Sequence, residues 1–371
     1  HLPLIKTYTN EQSESEKGRQ AANGLLKANM RLVRLDNISA GIAAFLDILQ
    51  KFIVVVVAVI LLQRKEIDIA MWLAFFLFAQ NLFPTMDAVF EYWVRIKAIK
   101  GSFERASGIM NGEDEPSGTA ASPENGEVRF ENVTFTYPGA DAPALKDVSF
   151  TVPDGSMVAI VGMCGSGKTT SVSLLERFYG PDEGRILVGG TDISELSLAD
   201  YRRNLAYVQQ GAGIFSGTLR DALTYGIDRE VSDDEILAAA RRTGFTEYLD
   251  LCPEGLATEV AAGGDSMSGG QKQSLVLTRE VLRGGSIILM DEPTSALDVR
   301  VSAKIQETMD AVFAGKTRIL ITHDLDYARR CGRILVLSDG VLVGDGSPEK
   351  LLETCPTYRM MVENASKEAE I

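Results

Sequence analysis

The run Gly162-Met163-Cys164-Gly165-Ser166-Gly167-Lys168-Thr169-Thr170 has the residue types and spacing of a phosphate cradle. Its glycines let the chain curl so that successive backbone N–H groups point inward, and no side chain blocks an approaching anion. A helix-compatible stretch follows at once, so the positive end of a helix dipole would face the same anion. Lys168 is placed to reach outer phosphates, and the Thr169 hydroxyl is suited to a divalent cation. Far downstream, Ser268-Gly269-Gly270-Gln271 forms a second glycine-rich loop, and Ile287-Ile288-Leu289-Met290 leads into Asp291-Glu292. An acidic pair at the end of an apolar strand can hold a metal through the first carboxylate and activate water through the second.

These groups need a sheet to hold them. Val128 to Tyr137 and Val148 to Val152 alternate like half-exposed strands, and Met157 to Val161 is a short buried strand entering the cradle. Leu205 to Val208, Ile287 to Met290, Arg318 to Thr322 and Ile334 to Leu337 are further strand candidates. Helical stretches alternate with them, which predicts a largely parallel α/β sheet. Residues 111–126, rich in Gly, Pro, Ser and acid without an apolar period, read as a linker. No internal repeat is visible.

Upstream of that linker the chain changes character. Residues 10–37 are polar and helix-compatible, whereas about 38–62 and about 67–85 are apolar and separated only by Gln63-Arg64-Lys65-Glu66. A bilayer span needs about 20 mostly apolar residues. The first stretch reaches that length by including Asp47, Gln50 and Lys51, and the second carries Asp68. Trp72 to Phe78 is apolar on every face, which favours a membrane hairpin over a soluble one. Basic residues at its outer ends (Arg31, Arg34, Arg95, Lys97, Lys100) fit a cytosolic side. Asp47, Gln50 and Lys51 are then expected to face a protein interior or cavity.

Composition narrows the partners. The 371 residues are 45% hydrophobic, enough for two domains, and the net charge of −14 disfavours nucleic acid. Four scattered cysteines (Cys164, Cys252, Cys331, Cys355) lack metal-ligand spacing and suit a reducing compartment. The opening His1-Leu2-Pro3 shows neither an initiator Met nor a signal peptide, so the chain is expected to be part of a longer protein.

Residues 127–360 resemble the nucleotide-binding domain of ABC transporters through every landmark in order. Besides the cradle and the acidic strand end, Tyr137 in Phe135-Thr136-Tyr137 matches the aromatic residue that stacks on adenine. Gln210 matches the glutamine that senses Mg²⁺ and the membrane domain. Ser268-Gly269-Gly270-Gln271 matches the signature loop that touches the γ-phosphate held by the opposite subunit. Ser295-Ala296-Leu297-Asp298 matches the loop crossing the dimer interface, and His323 the γ-phosphate switch. The resemblance implies an α/β P-loop NTPase domain of the ABC type over residues 127–371, with a helical signature subdomain and an antiparallel β subdomain. An all-α membrane segment (residues 1–110) would precede it.

Residues 2–11 are similar to an exporter's second coupling loop, and the hairpin to its last two membrane spans. The resemblance implies ATP and Mg²⁺ as cofactors. Nucleotide would lie on Tyr137, Gly162 to Thr170, Gln210 and Ser268 to Gln271, and the metal on Thr169, Gln210 and Asp291. Glu292, His323 and Lys168 would carry catalysis. It also implies a second half-transporter as partner, membrane lipid around the spans, and a multi-pass location in a bacterial cell membrane with this domain in the cytoplasm. Two rivals share parts of the pattern. A soluble ABC clamp on nucleic acid or ribosome lacks an upstream apolar hairpin, and a non-catalytic heterodimer half usually loses Glu292 or the signature glycines. Met267, Ser274 and Ala262 depart from the usual Leu, Arg and Glu, which bears on coupling more than on hydrolysis.

Overall fold

The computed structural model describes residues 2–110, 115–209 and 213–369. They form two compact units, His1–Glu113 and Asp114–Ile371. The first unit is helical: Leu2–Thr7, then a continuous helix Glu11–Gln63 and another, Ile69–Met110. The polar and apolar halves of Glu11–Gln63 form one 53-residue helix because no proline interrupts them and its three glycines face open space.

The turn after it places Lys65 at φ 56°, and the Asp68 carboxylate accepts the Met71 N–H at 2.6 Å. Asp68 thus caps the second helix at its N-terminus. Asp47 and Lys51 form an i,i+4 pair at 2.7 Å on a half-exposed face. Ala58 is buried where the helices meet, beside an apolar cavity of about 340 Å³ lined by residues such as Val57, Trp72 and Phe75. Phe45, Phe52 and Phe78 are exposed. Among the described residues, Glu11–Gln63 alone is long and apolar enough to cross a bilayer, while Ile69–Phe78 is a shorter apolar stretch.

The second unit is built on a six-stranded sheet. Its order is Val341–Gly346, Ile334–Ser338, Met157–Gly162, Thr317–Ile321, Ile287–Asp291, Leu205–Gln209. All neighbours run parallel except the edge pair Ile334–Ser338 and Val341–Gly346. Strands buried on both faces read as continuous apolar runs, as Met157–Gly162 and Ile287–Asp291 do. Register aligns Gly162 with Leu337, and Asp291 with both Ile321 and Gln209. The carboxyl ends of the strands therefore meet on one edge, where open α/β sheets bind ligands.

An antiparallel sheet, order Leu145–Val152, Val128–Phe135, Glu183–Val188, Thr191–Asp192, stacks its apolar face on the core around Phe130, Phe150 and Leu174. Of the linker residues, those from 115 on are tied down. Gly118 and Ala120 donate N–H to the Leu196 and Glu195 carbonyls, and Ser197 N–H returns to Ala120. A Cβ on Gly118 would lie 1.9 Å from the Glu195 oxygen, so only glycine fits there.

Candidate functional site

The cradle Gly162–Thr170 spans the turn between strand Met157–Gly162 and helix Lys168–Leu175. Gly167 takes φ 103°, and a Cβ on Gly162 would sit 2.3 Å from the Leu337 carbonyl. Both positions therefore demand glycine. The Lys168 ammonium donates to the Gly162 and Met163 carbonyls at 2.9 and 3.0 Å, which holds it across the loop. Met163, Cys164, Gly165 and Thr169 are exposed, whereas Ser166 and Thr170 are buried. The buried Ser166 hydroxyl has no hydrogen-bond partner. Tyr137 donates its hydroxyl to Thr170 at 3.2 Å, and its ring stands edge-on to Phe135 and Tyr179 at 5.0 and 5.2 Å. Tyr179 belongs to this aromatic cluster and carries no motif that marks it.

At the next strands, Asp291 is held above the usual carboxylate range, first by burial and then by the neighbouring Glu292, with Lys168 opposing. Tyr207 lies on the adjacent strand, where burial first and then the nearby Asp291 carboxylate push its hydroxyl above its usual range, a neighbour that a reading of motifs misses. Glu292 adopts φ 47°, fixed by its N–H to the Ile321 carbonyl at 2.9 Å and by Ser295 on its own carbonyl. Such left-handed backbone at a non-glycine residue is sparsely populated. His323 Nδ1 lies 3.4 Å from the Glu292 carboxylate. Strand ends thus bring Lys168, Asp291, Glu292 and His323 to one edge. Gln210 lies outside the described residues.

The loop Ser268–Gln271 is elsewhere in the unit, opening helix Gly269–Arg283. Ser268 and Gln271 cap each other: Gln271 N–H donates to Ser268 Oγ at 3.3 Å, and Ser268 N–H to Gln271 Oε1 at 2.8 Å. Leu297 and Val301 of the same chain pack so close to Gly269 and Gly270 that a Cβ would approach them to 2.8 and 2.7 Å. Asp298 caps the helix Val299–Val312 through the Arg300 and Val301 N–H groups. A cavity of about 310 Å³ adjoins Ser268, Gly270, Gln271 and Ser274, and no cradle residue lines it. Met267 is buried, where an unbranched side chain fills the space beside Gly264.

The residues present fit a nucleotide with a divalent cation. Gly162 and Gly167 have no room for a side chain, Lys168 supplies a cation, and the partly buried Asp291–Glu292 pair is a negative cluster that a cation would relieve. Among the described residues no group of three or more His, Cys, Asp or Glu side chains could hold a metal by itself. A divalent cation here would therefore have to draw ligands from Thr169, Asp291 and phosphate oxygens together.

Residues 145–295 match the family model described as ABC transporter. The chain carries an ABC transporter nucleotide-binding domain. The ABC-type transporter fsqE of Aspergillus fumigatus is 46% identical over 237 residues, which is 63% of this chain and 18% of that protein. The ATP-dependent lipid A-core flippase of Vibrio cholerae is 30% identical over 360 residues, 96% of this chain and 62% of that protein. A solved bacterial Atm1-family ABC exporter with ATP bound superposes with a TM-score of 0.71 at 34% identity, covering 78% of this chain and 51% of its own. The chain spans less than two thirds of the length of each of these relatives. The likeness to ABC exporters extends beyond the nucleotide-binding unit, since the Vibrio match includes nearly the whole chain.

Beneath the ABC domain's acidic edge lies Glu176, at the end of the cradle helix. Burial pushes its carboxyl from 4.5 to about 7, with Arg202 opposing and Asp291 assisting. Between those pH values the folded chain keeps a proton that the unfolded chain has released, so stability falls as pH rises through this window. Glu176→Gln removes that dependence. Its stability relative to the parent should grow from pH 4.5 to pH 7 by up to about 3 kcal/mol. Thermal unfolding of both at pH 5 and pH 8 checks this, and a constant gap would refute it.

Proposed function

We propose that this chain is part of an ABC exporter that binds ATP between two nucleotide-binding units, hydrolyses it, and uses the cycle to move a substrate across a membrane. The observation that carries this reading is the split of the site. Cradle, acidic pair and His323 share one sheet edge, while Ser268–Gln271 opens a separate helix beside a cavity that the cradle does not line. One chain thus offers two halves of a phosphate clamp, and a second copy or close relative would complete each.

In this reading the cradle N–H groups and Lys168 hold the β- and γ-phosphates, and Tyr137 packs on the base with Tyr179 behind it. Mg²⁺ on Thr169, Asp291 and Gln210 would neutralise charge on the phosphates. Glu292 accepts the proton of the attacking water, and His323 steadies that carboxylate and senses the γ-phosphate. The partner's signature loop closes over the γ-phosphate with its backbone N–H groups and Ser268. The apolar helices of the first unit lie in the bilayer, with the nucleotide-binding unit on the cytoplasmic side. The flippase names of several relatives make a lipid the first substrate to test.

Hydrolysis measured over a dilution series tests the shared site. Turnover per chain should fall as the protein is diluted below the dissociation constant of its dimer. Equal turnover per chain at every concentration would show a complete site in one chain.

A further inference from the structure

Helix Lys168–Leu175, which follows the cradle, ends in a Schellman turn: Arg177 N–H donates to the Leu174 carbonyl and Phe178 N–H to that of Ser173, both at 3.0 Å. The residue that such a turn holds in left-handed backbone is usually glycine, because a Cβ is strained there. Here it is Arg177, at φ 59°. Its guanidinium supplies a reason for the strain. It donates to the Leu196 carbonyl at 2.9 Å and to the Pro116 carbonyl at 2.6 Å. Arg202 repeats the pattern beside it, donating to the Glu176 carbonyl at 3.2 Å and to both oxygens of the Glu115 carboxylate.

Both arginines thus join the far end of the cradle helix to residues 115–120. Backbone contacts hold the same segment. Leu198 N–H donates to Ser117 Oγ at 3.0 Å, Ala120 pairs with Leu196 as a parallel bridge, and Gly118 packs against the Glu195 carbonyl. Helix Ile69–Met110 ends just upstream. With the segment fastened, only residues 111–114 lie between that helix and chain fixed to the nucleotide-binding unit. Released, the intervening chain reaches to Ser122 and Pro123, which Asn204 holds. A longer chain rich in Gly, Ser and Pro passes on little displacement, and a short one passes on more.

We propose that residues 115–120 are a latched strap and that Arg177 is the positioning residue that fastens it, so that movement of the helix ending at Met110 and movement of the cradle helix are coupled through the chain itself. The inference rests on the exporter reading above. It requires nucleotide at the cradle to change the local stability of helix Ile69–Met110, and that change to vanish when the strap is lifted. Lys168 stands at the opposite end of the cradle helix from Arg177, so nucleotide affinity has no reason to change.

The test uses the membrane-embedded full-length protein and amide hydrogen exchange read by mass spectrometry, with and without Mg²⁺ and a non-hydrolysable ATP analogue. In the parent, nucleotide should shift exchange rates in residues 90–110 about fivefold. Arg177→Gly relieves the backbone strain while removing the latch. Gly118→Ala lifts the strap with both arginines intact, since its Cβ would lie 1.9 Å from the Glu195 oxygen. Each should reduce the shift to less than about twofold and leave the analogue's dissociation constant within about twofold of the parent's. Should one variant fail to fold, the other decides. A parent-like shift in either folded variant would overturn the proposal. So would weaker nucleotide binding in Arg177→Gly alone, which would make Arg177 a support for the cradle and nothing more. A parent that hydrolyses ATP with no nucleotide-dependent shift in residues 90–110 overturns the latch and leaves the composite site standing. Failure of the parent to hydrolyse ATP would instead remove the exporter reading itself.

Discussion

Glu292→Gln should stop multiple turnover and leave the protein loaded with ATP. Glutamine preserves the volume of the side chain and its hydrogen bonds, so the backbone at φ 47° and the bond from Glu292 N–H to Ile321 persist. What disappears is the ability to take a proton from water. Loss of a positioned general base costs about 10²- to 10⁴-fold in rate. Asp291, Lys168 and the cradle are untouched, so affinity for Mg-ATP should be retained or increased. Phosphate release under single-turnover conditions, followed by gel filtration to measure nucleotide retained per chain, reads both effects. A rate within tenfold of the parent would assign water activation elsewhere, and His323, 3.4 Å away, would be the first residue to examine next.

The shape of the cradle was legible in the sequence because it depends on local backbone geometry. Gly162 and Gly167 are needed because of what stands beside them, Leu337 and Ala144–Leu145, yet the resulting residue pattern is local and can be read without knowing those neighbours. The parallel sheet was legible for a related reason: strands buried on both faces must be continuously apolar. Glu183–Val188 was not, because its first half is exposed and Gly184 takes a positive φ against the Asn132 carbonyl, so no alternation shows. Pairings across strands left no trace either. Arg185 on Glu131 and Arg333 on the Thr151 carbonyl join residues far apart in sequence, and no spacing rule links them.

Local polar groups misled in a different way. Asp68 looked like a charge within an apolar stretch, whereas it caps the helix that the stretch forms. The composition of 111–126 reads as a linker; within it Gly118 and Ala120 exchange backbone hydrogen bonds with Glu195–Ser197, and Glu115 pairs with Arg202. Gly and Ser there serve close approach as much as flexibility.

Gly270→Asp should cut hydrolysis by about 10²-fold or more while each chain binds nucleotide as before. The substitution sets a carboxylate at the helix start where the proposed function places a partner's γ-phosphate, replacing a favourable N–H surface with like-charge repulsion. Within the chain the new Cβ would meet Val301 Cγ1 at 2.7 Å, so Val301, which borders a cavity of about 310 Å³, must shift to admit it. Because Gly270 does not belong to the cradle, binding of one nucleotide to Lys168, Thr169 and Tyr137 of the same chain has no reason to weaken. A complete site within a single chain gives the opposite result, with affinity and turnover lost together. Equilibrium titration of the monomeric variant with a fluorescent ATP analogue, set beside hydrolysis at high protein concentration, separates the two cases. Mixing it with Lys168→Ala sharpens the test, since a dimer of the two variants retains one pairing of intact cradle and intact signature loop. Activity that reappears only in the mixture would require the two surfaces to come from different molecules.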